Sequence, residues 1–374
     1  MRAPTVAPAK DLAPRVASRD IEDFDLPKGR EEEWRFAPIK KLAEFFQPAA
    51  WGSVGLAGEH GASVEFVDIS DPRLSQTWLP TDRPSAIARE KATHAVLITI
   101  PKESIHSSPI VVNLKNAGEN NYLHVEVHAG PFSKSQVVLI HDTSGNVSGS
   151  MLSILGDQAD LTMLSVTDAH TGVIQHLHWF TEVGRDANFI GLSITLGGGV
   201  IRMVPTLTYR APGGKAQMLG AFLLDGHQFQ EHRILVDHTQ PHCTSNVIYK
   251  GALSGQGAHS VWIGDVLVRR EAVGIETYEL NRNLLLTDGP RADSVPNLEL
   301  ETGDVVGAGH ASATGRFDDE QLFYMQSRGI PEEIARMLVV RGFFVDVLSK
   351  IDDPALSASL MRRIEKKLGI VDHE

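Results

Sequence analysis

The segment that decides the fold lies between residues 156 and 264, where one short pattern recurs four times. Each copy is a four-residue turn that contains glycine, ends in alanine and leads into a β-rich apolar run. The four turns are Gly156-Asp157-Gln158-Ala159, Gly184-Arg185-Asp186-Ala187, Gly213-Gly214-Lys215-Ala216 and Gly255-Gln256-Gly257-Ala258. The alanines at 159, 187, 216 and 258 are thus 28, 29 and 42 residues apart. A period of this length is typical of solenoids and propellers.

A parallel β-helix explains this repeat best. In a solenoid each coil buries its apolar face against its neighbours, and small residues let the chain turn at a corner. A propeller usually needs longer and more even blades, and a sandwich requires no repeat. Both remain alternatives at this point, but the pattern favours the solenoid.

The whole chain divides into three zones. We predict a flexible arm and N-terminal helical region at 1–60, a β-helix core at 61–312 and a C-terminal helical domain at 313–374. The first zone holds a helical-looking stretch from Arg30 to Phe46. In the second, short β-rich runs such as 95–100 and 136–140 follow one another without an intervening helical period, which excludes βαβ alternation.

The third zone is predicted to contain three helices. Asp318 can cap the first helix, Gly329 suits its end, and Pro331 suits the first turn of the second. A third helix is expected at roughly 354–368. The second helix is apolar on two faces, so it either packs against the β body or binds a partner.

Composition excludes several classes of protein. The net charge of −12 argues against a nucleic-acid binder, which usually presents a basic face. The single cysteine, Cys243, rules out an intrachain disulfide and cannot hold an iron–sulfur cluster alone. No membrane span and no apolar signal segment is evident, so we expect a cytoplasmic protein.

The motifs of common enzymes are also missing. Around Gly213-Gly214-Lys215 the sequence lacks the remaining glycine and the hydroxyl of a phosphate-binding loop, so the chain should have no ATP site of its own. The pair His176 and His178, and the group His238, His242 and Cys243, match no standard metal spacing, and we interpret them as packed or solvated side chains. His310 differs because it lies in a stretch of small residues, 307–315, where an imidazole stays accessible to a metal or to another subunit. On local sequence alone a role without metal is still favoured.

Several segments are similar to the SufB/SufD family. They are 281–286, 292–300, 309–315, 318–324, 327–333 and 341–344, with Glu33-Trp34-Arg35 near the N-terminus. The resemblance implies a right-handed parallel β-helix flanked by helical N-terminal and C-terminal regions. It also implies a non-enzymatic scaffold in iron–sulfur cluster assembly, paired with a SufB-like paralogue and carrying a SufC-like ABC-type ATPase on its C-terminal helices.

Two positions point to the SufD-like branch of this family. SufB-like chains carry a cysteine directly before the Asp-Ser at 293–294, where this chain has Ala292. SufD-like chains keep a histidine in the small-residue stretch, and His310 matches it. The resemblance therefore implies that His310 binds transient iron or a nascent cluster shared with the partner. The residues expected to bind partners are Leu322, Phe323, Tyr324, Arg328, Ile330, Phe343 and Phe344.

Two other functions stay open. The chain is a secreted-type β-helix enzyme acting on polysaccharide if Asp225, Glu231 and Asp237 supply its acids. Alternatively, it is a homodimeric binding module without metal. A homodimer of the isolated chain is compatible with the scaffold interpretation as well.

Overall fold

The computed structural model describes residues 16–317, 319–351 and 353–367. Its described part contains nineteen β-strands, with these bounds: β1 Gly52–Ser53, β2 Gly55–Ala57, β3 Val64–Asp68, β4 His94–Ile100, β5 Ile110–Lys115, β6 Asn120–Ala129, β7 Lys134–Ile140, β8 Asn146–Leu155, β9 Asp160–Ala169, β10 Ile174–Val183, β11 Asn188–Gly197, β12 Val200–Tyr209, β13 Lys215–Asp225, β14 Phe229–His238, β15 Thr244–Ser254, β16 His259–Val268, β17 Ile275–Leu285, β18 Arg291–Leu300 and β19 Val305–Arg316. The described helices are α1 Arg83–Lys91, α2 Asp319–Ser327, α3 Glu332–Leu348 and α4 Pro354–Lys367, with 3-10 turns at Ile21–Asp23, Glu32–Trp34 and Ala43–Phe46.

The strands alternate between two sheets. From β4 onward the even-numbered strands through β18 form sheet I, and from β5 onward the odd-numbered strands through β19 form sheet II. Neighbouring strands within a sheet are parallel from β4 and β5 onward, so that Asn188 of β11 lies between Asp160 of β9 and Lys215 of β13. One strand from each sheet makes one coil, and eight coils stack along the axis. The predicted fold class, a parallel β-helix with helices near its termini, is confirmed.

A left-handed backbone residue recurs at the corner from sheet I to sheet II. In seven successive coils this residue has φ between 51° and 82°: Glu103, Phe132, Gln158, Asp186, Gly213, His242 and Gly274. This conformation reverses the chain direction in few residues. Three of the quoted turns form this corner, whereas Gly255–Ala258 forms the opposite corner, from sheet II to sheet I. The gap of 42 residues is therefore about one and a half coils.

The space between the sheets is an apolar core. Ile98, Val125, Met151, Leu177 and Phe222 are all fully buried there. Full burial of an aliphatic or aromatic side chain contributes about 1.5–3 kcal/mol. The stacking of coils is thus stabilised along the whole axis and not at one centre.

The outer face of sheet I is covered by the N-terminal segment. Trp34, Leu42, Phe45 and Phe46 pack against a patch that includes Val200 and Ile263. The helical stretch expected here takes the form of two 3-10 turns, each of three or four residues. This segment is held by tertiary contacts, because single turns have little stability of their own.

Helix α1 was not predicted. Asp82 caps it by accepting the backbone N–H of Ser85 at 2.9 Å, and Pro84 lies in its first turn. Within the helix, Ala86, Ile87 and Ala88 are buried. Only these three consecutive apolar residues mark the helix, too few to produce a visible helical period. The division into zones at 60 and 312 stays a prediction, and the strands themselves run from Gly52 to Arg316.

The C-terminal helices cover the outer face of sheet II. Val340, Phe344, Val347 and Ile364 pack with residues such as Leu192. Gly329 has φ +85° just after α2, as its predicted role at the helix end requires. Asp318, the predicted cap of α2, and Leu368, the predicted end of the third helix, lie outside the described residues. Among those that are described, no helix has the length and apolar character needed to cross a membrane.

Candidate metal and partner-binding site at the open end of the solenoid

His310 lies on β19, the last strand of sheet II. Its ladder partner on β17 is Glu279, and the flanking pairs are Thr277 with Ala308 and Asn281 with Ser312. Thr277, Glu279 and Asn281 are at most 2% exposed because they point into the solenoid. His310 therefore points to the interior face too, and it is exposed because no described coil follows β19.

The interior becomes polar in the last two coils. Asn281 Oδ1 accepts hydrogen bonds from Asn283 Nδ2 at 2.8 Å and from Ser294 Oγ at 2.6 Å. Asn283 Nδ2 also lies 3.2 Å from Thr314 Oγ1 on the last strand. The preceding coil presents Val247, Tyr249 and Gly251 in the same interior columns. The apolar core thus ends in a hydrogen-bonded polar mouth.

Glu279 is the most unusual residue of this mouth. Its side chain is 1% exposed, and neither carboxylate oxygen has a hydrogen-bond partner among the described residues. Burial, with the charge of Asp265 nearby, raises the pKa of Glu279 to about 8. Sequence reasoning missed it, although an acidic residue at an inward position of an alternating strand was a readable signal.

Gly264 of β16 makes room for this carboxyl group. A Cβ atom at position 264 would lie 2.8 Å from Glu279 Oε1 and 2.4 Å from the ring of Trp262. Gly264 faces Glu279 across the interior. In the next coil Pro296 pairs with Gly264 and His310 pairs with Glu279, so Pro296 faces His310. Ala292 lies four residues before Pro296, or about 13 Å along the strand. The position where SufB-like chains carry their cysteine is therefore at the same open end, but it does not face His310.

The other sequence-level metal candidates are structural. His176 and His178 lie on the outer face of sheet I, where His176 Nε2 is 2.9 Å from Asp82 and His178 Nε2 is 3.2 Å from Thr206. His238 is buried against Ser245, and Cys243 is fully buried at a corner. Burial raises the pKa of the Cys243 thiol. His176, His178, His238 and Cys243 are thus packed side chains, whereas His242 is exposed. The part of the chain that the structure describes has no cluster of three His, Cys, Asp or Glu able to hold a metal.

The three acids proposed for a polysaccharide-active enzyme have partners within this chain. Glu231 is 1% exposed and is bound to Arg202 at 3.2 Å. Asp237 is held by Arg269 at 2.9 Å, six residues or about 20 Å along β14 from Glu231. Asp225 accepts a hydrogen bond from Ser254. Glycosidase carboxyl pairs are about 5–9.5 Å apart, so Glu231 and Asp237 are too far apart to act as such a pair.

The residues predicted to bind partners fall into two groups. Phe323 and Tyr324 on α2 are 72% and 59% exposed, and the Arg328 guanidinium lies 5.2 Å from the Tyr324 ring. Leu322 and Phe344 are instead 7% and 1% exposed, so their side chains pack within this chain. Ile330 and Phe343 are partly exposed. The accessible part of the predicted surface is therefore on α2 and the segment after it.

Helices α3 and α4 are joined firmly to sheet II. Lys250 of β15 donates to the Phe343 carbonyl at 2.8 Å and pairs with Asp346 at 2.5 Å. Lys367 of α4 pairs with Asp168 of β9 at 3.0 Å. An ion pair between Arg341 and Glu365 links the two helices to each other. A force applied to these helices would therefore reach the sheet that carries His310.

Comparison with known proteins gives a consistent result. The family model described as the SUF system FeS cluster assembly, SufBD core domain, matches residues 112–343, well over half of the chain. An iron–sulfur cluster assembly SufBD family protein of Mycobacterium tuberculosis is 41% identical over 368 residues, covering 95% of this chain and 93% of the relative. A SufBD family protein of Mycobacterium leprae is 42% identical over the same length, covering 95% and 94%.

A more distant relative carries a more specific name. The iron–sulfur cluster assembly protein SufD of Escherichia coli is 22% identical over 384 residues, covering 92% of this chain and 89% of the relative. The match to the core-domain model and the two mycobacterial relatives settle the family. This chain belongs to the SufB/SufD family of iron–sulfur cluster assembly proteins.

Proposed function

We propose that this chain is a SufD-like, non-enzymatic scaffold subunit that works in cytoplasmic iron–sulfur cluster assembly. It pairs with a SufB-like paralogue through the open end of its solenoid and docks a SufC-like ABC-type ATPase on its C-terminal helices. Its cargo is iron or a nascent cluster, held at the seam between the paralogues. The main observation in support of this proposal is the open polar mouth with His310 on the last strand.

The SufD-like assignment is supported by the number and position of the cysteines. The single cysteine is buried at a corner, and alanine occupies position 292. Iron–sulfur clusters are held mainly by thiolates. A chain that offers an exposed imidazole but no exposed thiol needs a partner to supply the remaining ligands.

Pairing at the open end is supported by the outer edges of β18 and β19, which have no neighbouring strand among the described residues. Both are terminal strands of their sheets, with ten and twelve residues. Long unpaired edges are liable to pair with another chain, and natural proteins normally shorten or cover them. A paralogue with a similar edge covers both strands at once.

The ATPase site is supported by Phe323 and Tyr324, which are exposed on α2 directly after β19. When the ATPase closes on ATP, it displaces α2 and α3. The coils are stiff because each contacts its neighbours along entire strands. The displacement therefore shifts the seam as a unit and exposes His310 to incoming iron and sulfur.

Co-purification tests the proposed partners. The tagged full-length chain is expressed with candidate SufB-like and SufC-like proteins, and the copurifying subunits, iron and sulfide are measured. A complex containing both partners is expected. Recovery of the chain alone or only as a homodimer would contradict the scaffold role.

A substitution tests the proposed ligand within that complex. We expect His310→Ala to leave the complex intact and to lower its iron content by roughly tenfold, because a metal ligand is lost. The matched control is His170→Ala, which replaces an exposed histidine on a remote turn. Unchanged iron and cluster formation in the His310 variant would reject the ligand role.

A further inference from the structure

We propose that Glu279 is a second ligand from this chain, beside His310, for a divalent transition-metal ion bound in the mouth of the solenoid. The inference rests on the proposed role of His310 and deepens it. This chain would then supply two ligands to a metal site at the seam, one nitrogen and one oxygen. The remaining positions would be left for the partner or for sulfur.

The register brings the two side chains together. Glu279 and His310 are direct partners in a parallel ladder. Neighbouring strands are about 4.8 Å apart, and paired residues point to the same face of their sheet. Both side chains therefore occupy the same interior column, in the last coil and the one before it.

Glu279 is buried with no partner for its carboxyl group in the described part of the chain. Its two oxygens are without hydrogen-bond partners among the described residues, at 1% exposure. Buried polar groups almost always have a partner, and an unpaired buried carboxylate is especially costly. Such a position is normally filled by a water molecule, an ion or a ligand.

The surroundings leave one direction for that occupant. The column continues inward to Val247, which is apolar and fully buried. Across the interior, Glu279 Oε1 lies beside the space left by Gly264, which the Trp262 ring also borders. The remaining side is the last coil, where His310 is exposed. An ion entering through the mouth reaches the imidazole first and the carboxylate next.

The donor set selects the class of ion. An imidazole together with a carboxylate suits Fe²⁺, Mn²⁺, Co²⁺ and Zn²⁺, whereas Mg²⁺ and Ca²⁺ prefer oxygen ligands alone. Two protein donors do not complete a coordination sphere, in agreement with the lack of any three-residue cluster in the described part of the chain. Fe²⁺ is the ion that matches the proposed cargo.

The test uses Co²⁺ as a spectroscopic probe with the full-length chain. Its visible absorption and a calorimetric titration are compared for wild type, Glu279→Gln, His310→Ala and Glu276→Gln. Glu276 is the matched control because it lies on the same strand, three residues away, and points to the outer surface. We expect the first two substitutions to weaken Co²⁺ binding by more than about tenfold, with different visible spectra, and the control to bind like wild type.

A second readout separates a ligand from a structural residue. Without metal, Glu279→Gln and Glu279→Val should unfold at the same temperature as wild type or higher, because both remove an unpaired buried carboxyl group. Excess Co²⁺ should raise the unfolding temperature of wild type and Glu276→Gln, but not that of the Glu279 variants. If Co²⁺ binds and stabilises the Glu279 variants as it does wild type, the proposal is overturned.

The outcomes also distinguish this proposal from the scaffold role. If His310→Ala weakens Co²⁺ binding and Glu279→Gln does not, only the role of Glu279 falls. If both weaken binding but no paralogue copurifies, the metal site stands and the scaffold role falls.

Discussion

The solenoid ends in short antiparallel strands on its amino-terminal side and in long parallel strands on its carboxyl-terminal side. At the first end, β3 runs antiparallel to β4 and β2 antiparallel to β5, with five and three residues. At the second end β18 and β19 have no outer neighbour in the described part. Ile98 and Val112 fill the interior of the first end, whereas Ser312 and His310 line the second.

This difference shows how a solenoid separates folding from function. A closed apolar end needs no partner and protects the stack from uncontrolled pairing. An open polar end gains little stability by itself and keeps backbone edges and ligands available. The same coil geometry therefore serves as a cap at one end and as a candidate binding site at the other.

The largest effect is expected where the N-terminal segment closes sheet I. Arg202 is fully buried, pairs with Glu231 and Asp82, and lies 4.0 Å from the Trp34 ring. Arg202→Ala leaves two buried carboxylates without their cation, so we expect a loss of about 3–5 kcal/mol in the free energy of unfolding. Urea denaturation measures it, and a loss below about 1 kcal/mol would show that the enclosure does not depend on this network.

A matched pair of core substitutions compares the two ends directly. Ile98→Ala at the closed end removes a fully buried side chain and should cost about 2–5 kcal/mol. Leu298→Ala at the open end should cost less than half as much, because Leu298 is only partly buried. Equal losses in denaturant titrations would mean that the last coil is as well packed as the first.

The pH dependence of stability should have opposite signs for the buried histidines and for Glu279 at the open end. Burial lowers the pKa of His141 to about 4 and that of His232 to about 3, from 6.5. Between these values and pH 6.5 the two histidines are protonated in the unfolded chain but neutral in the folded chain. Stability therefore falls as pH drops from 6.5 towards these values. For Glu279, whose pKa is raised from 4.5 to about 8, the folded chain holds the extra proton, so stability falls as pH rises through that window.

Glu279→Gln isolates the contribution of the open end. Each unit of pKa shift corresponds to about 1.4 kcal/mol. Without metal, the free energy of unfolding of the variant relative to wild type should therefore rise by roughly 1–4 kcal/mol from pH ~5 to pH ~8. Denaturation midpoints across this range check the sign, with Glu276→Gln as control. A gap between variant and wild type that does not widen with pH would contradict the raised pKa.

The smallest change in stability is expected on α2. Replacing both Phe323 and Tyr324 by Ser should alter the free energy of unfolding by less than about 0.5 kcal/mol, because both rings are exposed. The same double variant should no longer retain a SufC-like ATPase in co-purification. Phe344→Ala is the counterpart on α3, and it should cost about 3–5 kcal/mol because that ring is 1% exposed. Retention of the ATPase by the double variant would move its docking surface elsewhere.

Local sequence was sufficient for much of the architecture. Turn residues, short β-rich runs and a period near 28 residues predict a coil, since each feature acts within one repeat. The C-terminal helices were readable for the same reason, because caps and apolar periodicity are local. Helix α1 and the 3-10 turns around Trp34 were not, since they are stabilised by contacts with distant strands.

The sequence by itself predicted the solenoid from the spacing of its turns, and its resemblance to the SufB/SufD family implied the choice of His310. Only the tertiary structure decided that Phe344 is buried while Phe323 is exposed, that one end is capped, and that Glu279 lies next to His310 without a partner. The physical reason is that burial and unpaired polar groups arise from contacts between residues about 30 positions apart, one coil from the next. That register is fixed by the stack and not by any single segment.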